Sequence, residues 1–371
     1  MMVFSNNKIY KKIHRKLKKS QFFYFLKVQL YNKDYKLHKK KMKYSSKSKE
    51  QIKEEMGLIK EYWKCKPLHY IRYGLYEKQL SKEQLLDYIP PYYFYTIYCK
   101  KIFKPSTKFD VYNNKLKLFN YLKNKGIPTP DVIYTIENGH FKNNKNQEVT
   151  LDEVLSQIND GEKFFLKPIY GSGGTGIIAI LKKDNKLYVN GKLCLSKDIE
   201  NSLNKKTTYI IQKGIEQRED IAAINPTSVN TLRAITQWRN GKPQLSICVM
   251  RIGRNGKDVD NSHQGGISIQ IDVNNGRFHD KATAEHDGRI YTSHPDTQFL
   301  FMDKYLNNWN EIKNNILSYA EKVKELKEIA WDIAITKHEI VVIELNLYYG
   351  ISHLQCCCGG LRNILHVFPS K

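Results

Sequence analysis

The sequence predicts an α+β protein, with a mostly helical opening segment followed by two segments that mix helices with antiparallel strands. Three observations carry this. No glycine precedes Gly57 and no proline precedes Pro67, so nothing interrupts helices early in the chain. Beyond residue 104, short β-prone apolar runs alternate with amphipathic stretches. From Thr231 onward strand-like runs dominate, and the last two form a hairpin.

Within residues 1–104, Met56, Leu58, Ile59, Tyr62 and Trp63 recur at helical spacing, and Ser81-Lys-Glu-Gln reads as a capping box. Tyrosines and phenylalanines cluster from Tyr88 to Tyr98 around Pro90-Pro91, a packing surface. A second unit begins near Lys104-Pro105. Asn113–Lys125 is an amphipathic helix stopped by Gly126-Ile-Pro. Strands follow at 132–136, 163–168, 177–181, 187–189 and 209–215, with helices at 151–158 and 196–203. The closing elements are a helix at 309–326 and strands at 330–336 and 339–346.

With 371 residues, 41% hydrophobic and 26% charged, the chain has the composition of a globular protein of two or three structural units. The longest N-terminal apolar stretch, Gln21–Leu26, ends at Lys27 and is too short for a signal-peptide core, which predicts a cytoplasmic protein. Seven cysteines, an odd number without an export signal, are expected as reduced thiols. Adjacent Cys356, Cys357 and Cys358 cannot readily aim three sulfurs at one ion, so ordinary buried thiols are expected there. The net charge is +24, and residues 1–50 carry 16 Lys/Arg against Asp34 and Glu50. Three readings of this segment stand: biased base composition, contact with nucleic acid, or contact with an anionic membrane face.

Gly171, Gly173 and Gly176 fit the G-x-G-x-x-G spacing of a dinucleotide fingerprint. That fingerprint needs a helix after the last glycine, whereas Ile177-Ile-Ala-Ile-Leu181 is β-prone and ends in the turn Lys183-Asp-Asn. No Lys-Ser/Thr follows, so the Walker pattern fails too. The glycines therefore sit at a hairpin tip. Such a tip can turn backbone N–H groups toward a phosphate, with Lys167 in the feeding strand reaching the same anion, or it can be a plain surface hairpin.

In Val342-Ile-Glu344-Leu-Asn346, Glu344 and Asn346 share one strand face, while Ile343 and Leu345 are expected on the other, toward a core. A three-residue turn, Lys337-His338-Glu339, would set Thr336 against Ile340 and Asp332 against Glu344. A two-residue turn would set Asp332 against Ile343 and spoil the convergence. Two carboxylates and an amide oxygen suit Mg²⁺; the alternative is a solvated polar face.

The order FFLKP–GSGGTG–strand resembles the nucleotide-binding lid of the ATP-grasp superfamily. The resemblance extends through Ser228-Val-Asn-Thr-Leu-Arg233, Arg251-Ile-Gly-Arg, Val259-Asp-Asn261-Ser-His-Gln-Gly-Gly266, His294-Pro-Asp-Thr and Trp331-Asp332…Glu344-Leu-Asn346. Any one motif is weak, but the ordered set over roughly residues 50 to 360 is similar to the sugar-transfer-associated ATP-grasp family. The resemblance implies two α+β lobes clasping ATP. Residues 105–210 would be the lid and nucleotide-binding subdomain and 211–371 the catalytic subdomain, after a helical basic region over 1–104. It implies ATP contacts from Lys115, Lys167, Gly171, Ser172, Gly173, Gly174, Thr175, Gly176 and Asn261. Gln212 and the backbone of Lys213 and Ile215 would meet the adenine edge. Magnesium would be held by Asp332, Glu344 and Asn346, with Arg233 and Arg251 forming a catalytic floor. The ribose partner stays open among Glu216, Glu219 and Asp220. His294 reads either as an acceptor contact or as a local hydrogen-bonder, and His263 and Asp296 are left without a role.

The family implies an ADP-forming carboxylate–amine ligase working through an acyl phosphate, in cell-surface polysaccharide synthesis. Its substrates would be sugar-linked, and if the acceptor is lipid-linked the basic segment has a reason to sit at the inner membrane face. Two rival readings remain: a sugar phosphotransferase on the same scaffold, and a nucleic-acid-binding protein with a vestigial nucleotide site.

Overall fold

The structure is a computed structural model describing residues 24, 28–30, 32–103, 109–171, 173–257, 260, 265–285 and 288–369. The boundary expected at Lys104-Pro105 and most of the Gln21–Leu26 stretch lie outside the described residues. The chain divides into two compact units, one formed by 1–104, 283–290 and 348–371, the other by 105–282 and 291–347. Among the described residues no helix is long and apolar enough to cross a membrane.

The first unit is helical, as its lack of early breakers predicts. Ser48 caps the helix Lys49–Trp63, whose apolar spacing buries Ile59 and Trp63. The capping box at Ser81 is present and opens Lys82–Leu86. Trp63 meets Tyr93 edge-on at 4.9 Å within the expected aromatic cluster. The C-terminal helix Ile351–Cys358 buries Gln355, which accepts from Ile89 N at 2.6 Å and donates to Ile89 O at 2.9 Å. Cys356, Cys357 and Cys358 are half-buried rather than fully buried, and burial pushes the Cys356 thiol up to about 12.

The second unit holds two sheets. The first consists of β1 (Val132–Glu137), β2 (His140–Asn143), β3 (Glu148–Val149), β4 (Lys163–Pro168), β5 (Ile178–Lys183), β6 (Lys186–Val189), β7 (Lys192–Cys194) and β8 (Tyr209–Lys213). Its order is β3-β2-β1-β8-β4-β5-β6-β7. Strands β2, β3 and β7 are two to four residues long, too short for an apolar alternation to announce them. Phe164, Leu166, Ile180 and Ile211 pack with Leu151, Val154 and Leu155 of the helix Leu151–Ser156. Pairing of Leu166 with Ile178 makes β4 and β5 the expected hairpin, with the glycines at its tip.

The principal strands of the second sheet are β9 (Thr231–Arg239), β10 (Lys242–Ile252), β11 (Ile267–Ile271), β12 (Glu328–Ile335) and β13 (Ile340–Asn346). They run β11-β10-β9-β12-β13. The helix Trp309–Lys322 buries Trp309, Ile312, Ile316 and Tyr319. The β12–β13 hairpin corrects the expected geometry in an instructive way. Thr336 N donates to Glu339 O at 2.9 Å, so the turn is the two-residue one, Lys337-His338, and Ile335 faces Ile340. That register would set Asp332 against Ile343. A β-bulge at Ile343 adds one residue to β13, and Asp332 pairs with Glu344 after all. The bulge also places Ile343 beside Glu344 in the lining of the cleft described below, not on the opposite face.

Gly266, just before β11, packs directly against the backbone of Asp260 and of Ile252 at the end of β10. A Cβ on Gly266 would lie 2.3 Å from Asp260 O and 3.0 Å from Ile252 O, both backbone atoms. Gly266→Ala is therefore expected to lower unfolding stability by about 2 kcal/mol or more. Denaturant titration checks this, and an unchanged midpoint would contradict the packing described.

Candidate functional site

One rung of the second sheet carries Arg233 on β9, Asp332 on β12 and Glu344 on β13, each directly opposite the next. Directly opposed residues share a sheet face, so all three side chains project together. Arg233 grips Asp332 through two bonds, Nε to Oδ1 and Nη2 to Oδ2, the latter at 2.9 Å. Two rungs along, on the same face, Arg251 pairs with Thr231. Arg251 Nη2 lies 3.2 Å from Asp332 Oδ2, and its Nε and Nη2 donate to Thr231 Oγ1 at 3.0 and 2.7 Å. Thr231 Oγ1 in turn donates to Asp260, whose Oδ2 is 3.5 Å from Arg251 Nε.

Arg233, Arg251, Asp260 and Asp332 are all buried. Unpaired, such charges would be costly in a dry sheet face, and here each meets at least one opposite charge. Burial works against the Arg251 charge, but Asp260, Asp332 and Glu344 outweigh it and hold its pKa above the usual value. Burial pushes Asp260 up, against the pull of Arg251 and Thr231. Arg251 Nη1 makes no hydrogen bond among the described residues, and Arg251 lines an open cleft.

The facing wall of that cleft comes from the first sheet and the helix Lys115–Asn124. Lys167 leaves β4 and donates to Gln212 Oε1 at 3.0 Å, while Gln212 Nε2 donates to Pro130 O at 2.8 Å. Burial pushes the Lys167 amine down to about 8, with Glu344 pulling it up and Lys115 pushing it down further. Lys115 Nζ donates to Gly171 O at 2.9 Å and lies 3.3 Å from Glu344 Oε1, so it ties the glycine hairpin to the carboxylate wall. Gly171, Gly173, Gly174 and Gly176 all take positive φ, which L side chains adopt at a cost. Leu118, Phe165, Ile177, Ile210 and Ile343 supply an apolar slot, closed by Lys213 and Ile215.

Most expected residues thus converge on one cleft: Lys115, Lys167, Gly171, Gly173, Gly174, Thr175, Gln212, Lys213, Ile215, Arg251, Asp332 and Glu344 line it. Gly176 lies at its edge, where a Cβ would come 3.1 Å from Pro168 Cγ. Asn346 is on the face of Glu344, two rungs away opposite Ala330, and its Nδ2 is buried without a partner among the described residues. Arg233 does not line the cleft; it sits behind Asp332 and orients it. Gln212 has its oxygen held by Lys167 and its amide nitrogen by Pro130, in place of a free edge toward the slot. None of Glu216, Glu219 and Asp220 lines the cleft, and Asp220 is paired with Arg218 and Asn307. His294 is a local hydrogen-bonder, buried against Gly253 O at 2.8 Å. Asp296 accepts from Asn255 N at 2.5 Å. Ser172, Asn261 and His263 lie outside the described residues.

Sequence reasoning missed Asp260, Thr231 and Ile343. Asp260 stands in a quoted motif, but no pattern of spacing says that a loop acid folds under two arginines. Among the described residues no three His, Cys, Asp or Glu side chains gather closely enough to hold a metal by themselves. An ion here would draw on Glu344, Asp332 and the Asn346 amide, with ligand oxygens completing its shell. Two carboxylates and the carbonyl oxygen of the Asn346 amide form an oxygen-only donor set, which fits a hard cation such as Mg²⁺. Removing one partner of the buried pair is expected to be costly. Arg233→Met should destabilise the fold by about 3 kcal/mol, and adding Asp332→Leu should recover most of that, as read by thermal or denaturant unfolding.

Comparison with known proteins places this cleft in context. The chain resembles D-alanyl-alanine synthetase A from Vibrio cholerae at 13% identity and a TM-score of 0.40, covering 68% of this chain and 60% of that one. It resembles the D-alanine–D-alanine ligase of Helicobacter pylori at 15% and 0.39, covering 70% and 62%. The D-cycloserine synthetase DcsG matches at 11% and 0.40, covering 70% and 71%. The chain thus spans about three fifths of the length of the first two. No curated protein matches. The model of the sugar-transfer associated ATP-grasp family matches residues 94–367, which include every cleft residue named above. The chain belongs to the sugar-transfer associated ATP-grasp family, and its α+β architecture is the ATP-grasp fold.

Proposed function

We propose that the protein is an ATP-dependent carboxylate–amine ligase that forms ADP and works through an acyl phosphate. The observation that carries this reading is the facing of Lys115, Lys167 and the glycine hairpin with Asp332 and Glu344 across one cleft. The apolar slot beside Lys213 and Ile215 takes the adenine, and the backbone of these two residues meets its edge. The glycine hairpin, with Ser172 and Thr175, covers the phosphates, joined by Asn261. Lys115 exchanges its bonds to Gly171 O and Glu344 for phosphate oxygens, and Lys167 meets the same group from β4.

Asp332, Glu344 and the Asn346 carbonyl oxygen would hold magnesium, which when bound would neutralise phosphate charge. A substrate carboxylate oxygen attacks the γ-phosphorus and ADP leaves. The amine nitrogen then attacks the acyl carbon, phosphate departs, and the amine loses a proton. The Nη1 group of Arg251 stabilises the oxyanion of that second step. Arg233 acts through Asp332 as a positioning residue. The words sugar-transfer associated in the family description favour a sugar-linked carboxylate or amine. We propose further that the product serves cell-surface polysaccharide synthesis and is made in the cytoplasm at the inner membrane face.

Three measurements test this. ADP release screened across uronic acids, amino sugars and amino acids should require both a carboxylate and an amine; phosphorylation of a single acceptor would point to a phosphotransferase. Glu344→Gln should lower turnover by at least about a hundred-fold with an unchanged melting temperature, and wild-type turnover would remove the metal assignment. Lys167 loses its proton near pH 8 in the free protein, and a bound phosphate would restore it. Binding above pH 8 then takes up a proton, so ATP affinity measured by calorimetry should fall, by at most about ten-fold per pH unit. Lys167→Met should bind weakly with no such slope.

A further inference from the structure

The helix Lys33–Lys41 and the 3₁₀ turn Met42–Tyr44 that continues it are fastened to the first unit by one face only. Asn32 caps the helix, accepting from Tyr35 N at 2.7 Å. Tyr35 and His38 are buried, and His38 Nδ1 lies 3.1 Å from Tyr76 Oη. Just beyond the turn, Ser45 Oγ donates to Tyr76 O at 2.7 Å. With 100° per residue, the direction opposite this anchored face is taken by positions 33, 37, 40 and 44. These are Lys33, Leu37, Lys40 and Tyr44, with Lys36, Lys41 and Lys43 alongside, all exposed.

Two features set this stripe apart from an ordinary solvated helix. None of Lys33, Lys36, Lys39, Lys40, Lys41 and Lys43 has an ion-pair partner among the described residues, although surface lysines elsewhere in the chain do. Leu37 is 39% and Tyr44 89% exposed, so the outward line of the stripe alternates cation and apolar group. Residues 1–32 add eight Lys/Arg and no acid to the same end of the chain.

We infer that this stripe docks on an anionic lipid surface. Lysine ammoniums are point charges that suit a diffuse layer of lipid phosphates and carboxylates, and a leucine and a tyrosine between them enter the headgroup boundary. A nucleic-acid face would be expected to use the planar fork of arginine, and the stripe has none. The contact is independent of which carboxylate the cleft activates. It is read without turnover, so its failure is distinct from failure of the ligase reading.

The test uses the full-length protein and sedimentation with phosphatidylcholine vesicles, with and without phosphatidylserine, at low and high salt. Wild-type protein should bind only the phosphatidylserine vesicles, and salt should release it. At about 1 kcal/mol, or about five-fold, per lysine near the surface, Lys33→Glu/Lys36→Glu/Lys40→Glu/Lys43→Glu should lower binding by at least about a hundred-fold. Circular dichroism and ATP binding of this variant should match wild type. Leu37→Ser/Tyr44→Ser should weaken binding several-fold without changing its salt dependence. The control Lys183→Glu/Lys186→Glu/Lys192→Glu/Lys197→Glu, on exposed lysines of the other unit, should stay within a few-fold of wild type. Wild-type binding by the stripe variant, or an equal loss in the control, overturns the inference. So does binding of duplex DNA, but not of vesicles, through the same lysines.

Discussion

Asp332 is the fixed point of the second sheet's working face. It is a buried carboxylate on a central strand, held by Arg233 from β9 and approached by Arg251 from β10. Because the pairing runs across strands rather than along one, it ties β10, β9 and β12 into one electrostatic unit. The register that pairs Asp332 with Glu344 extends that unit to β13. A slip of one residue between any two of these strands would turn a charge into the apolar side of the sheet. The ionic cluster thus makes register a matter of charge burial as well as hydrophobic packing.

The cleft is close to electrically balanced before any ligand enters. Lys115, Lys167 and Arg251 face Asp260, Asp332 and Glu344, Arg233 backs Asp332 from behind, and most of these charges already meet one another. Lys167 is the exception. It donates to a neutral amide and is held near its titration point by burial. Lys115 spans the gap, bonded to the glycine hairpin and to Glu344 together. In the proposed reaction an entering polyphosphate competes for both lysines and frees Glu344 for a cation. On that proposal, the contact joining the hairpin to Glu344 in the free protein is the one the ligand would exchange.

Much of this was legible in the sequence because the signals are local. The β-prone run after Gly176 identifies a hairpin, and the two-residue spacing of Glu344 and Asn346 places them on one face. What stayed hidden depends on long-range packing. Asp260 reaches the cluster from a backbone position packed directly against Gly266, six residues further along the chain. The short strands β2, β3 and β7 have pairing partners but are too brief to carry an apolar pattern of their own. The partners of Gln212 depend on the chain passing Pro130, which no motif encodes. The pairing of Asp332 with Glu344 was anticipated, but for the wrong reason, since a tighter turn and a bulge together reproduce the register of a wider turn.

That compensation bears on how related chains should be aligned. Twelve residues separate Asp332 from Glu344, and the number looks like a requirement of the site. It is not one. A hairpin with the same two-residue turn, one residue shorter and without the bulge, would oppose the same two carboxylates at a separation of eleven. A gap in this hairpin therefore belongs at the position of Ile343, inside the strand, and not in the turn where alignment habit would put it.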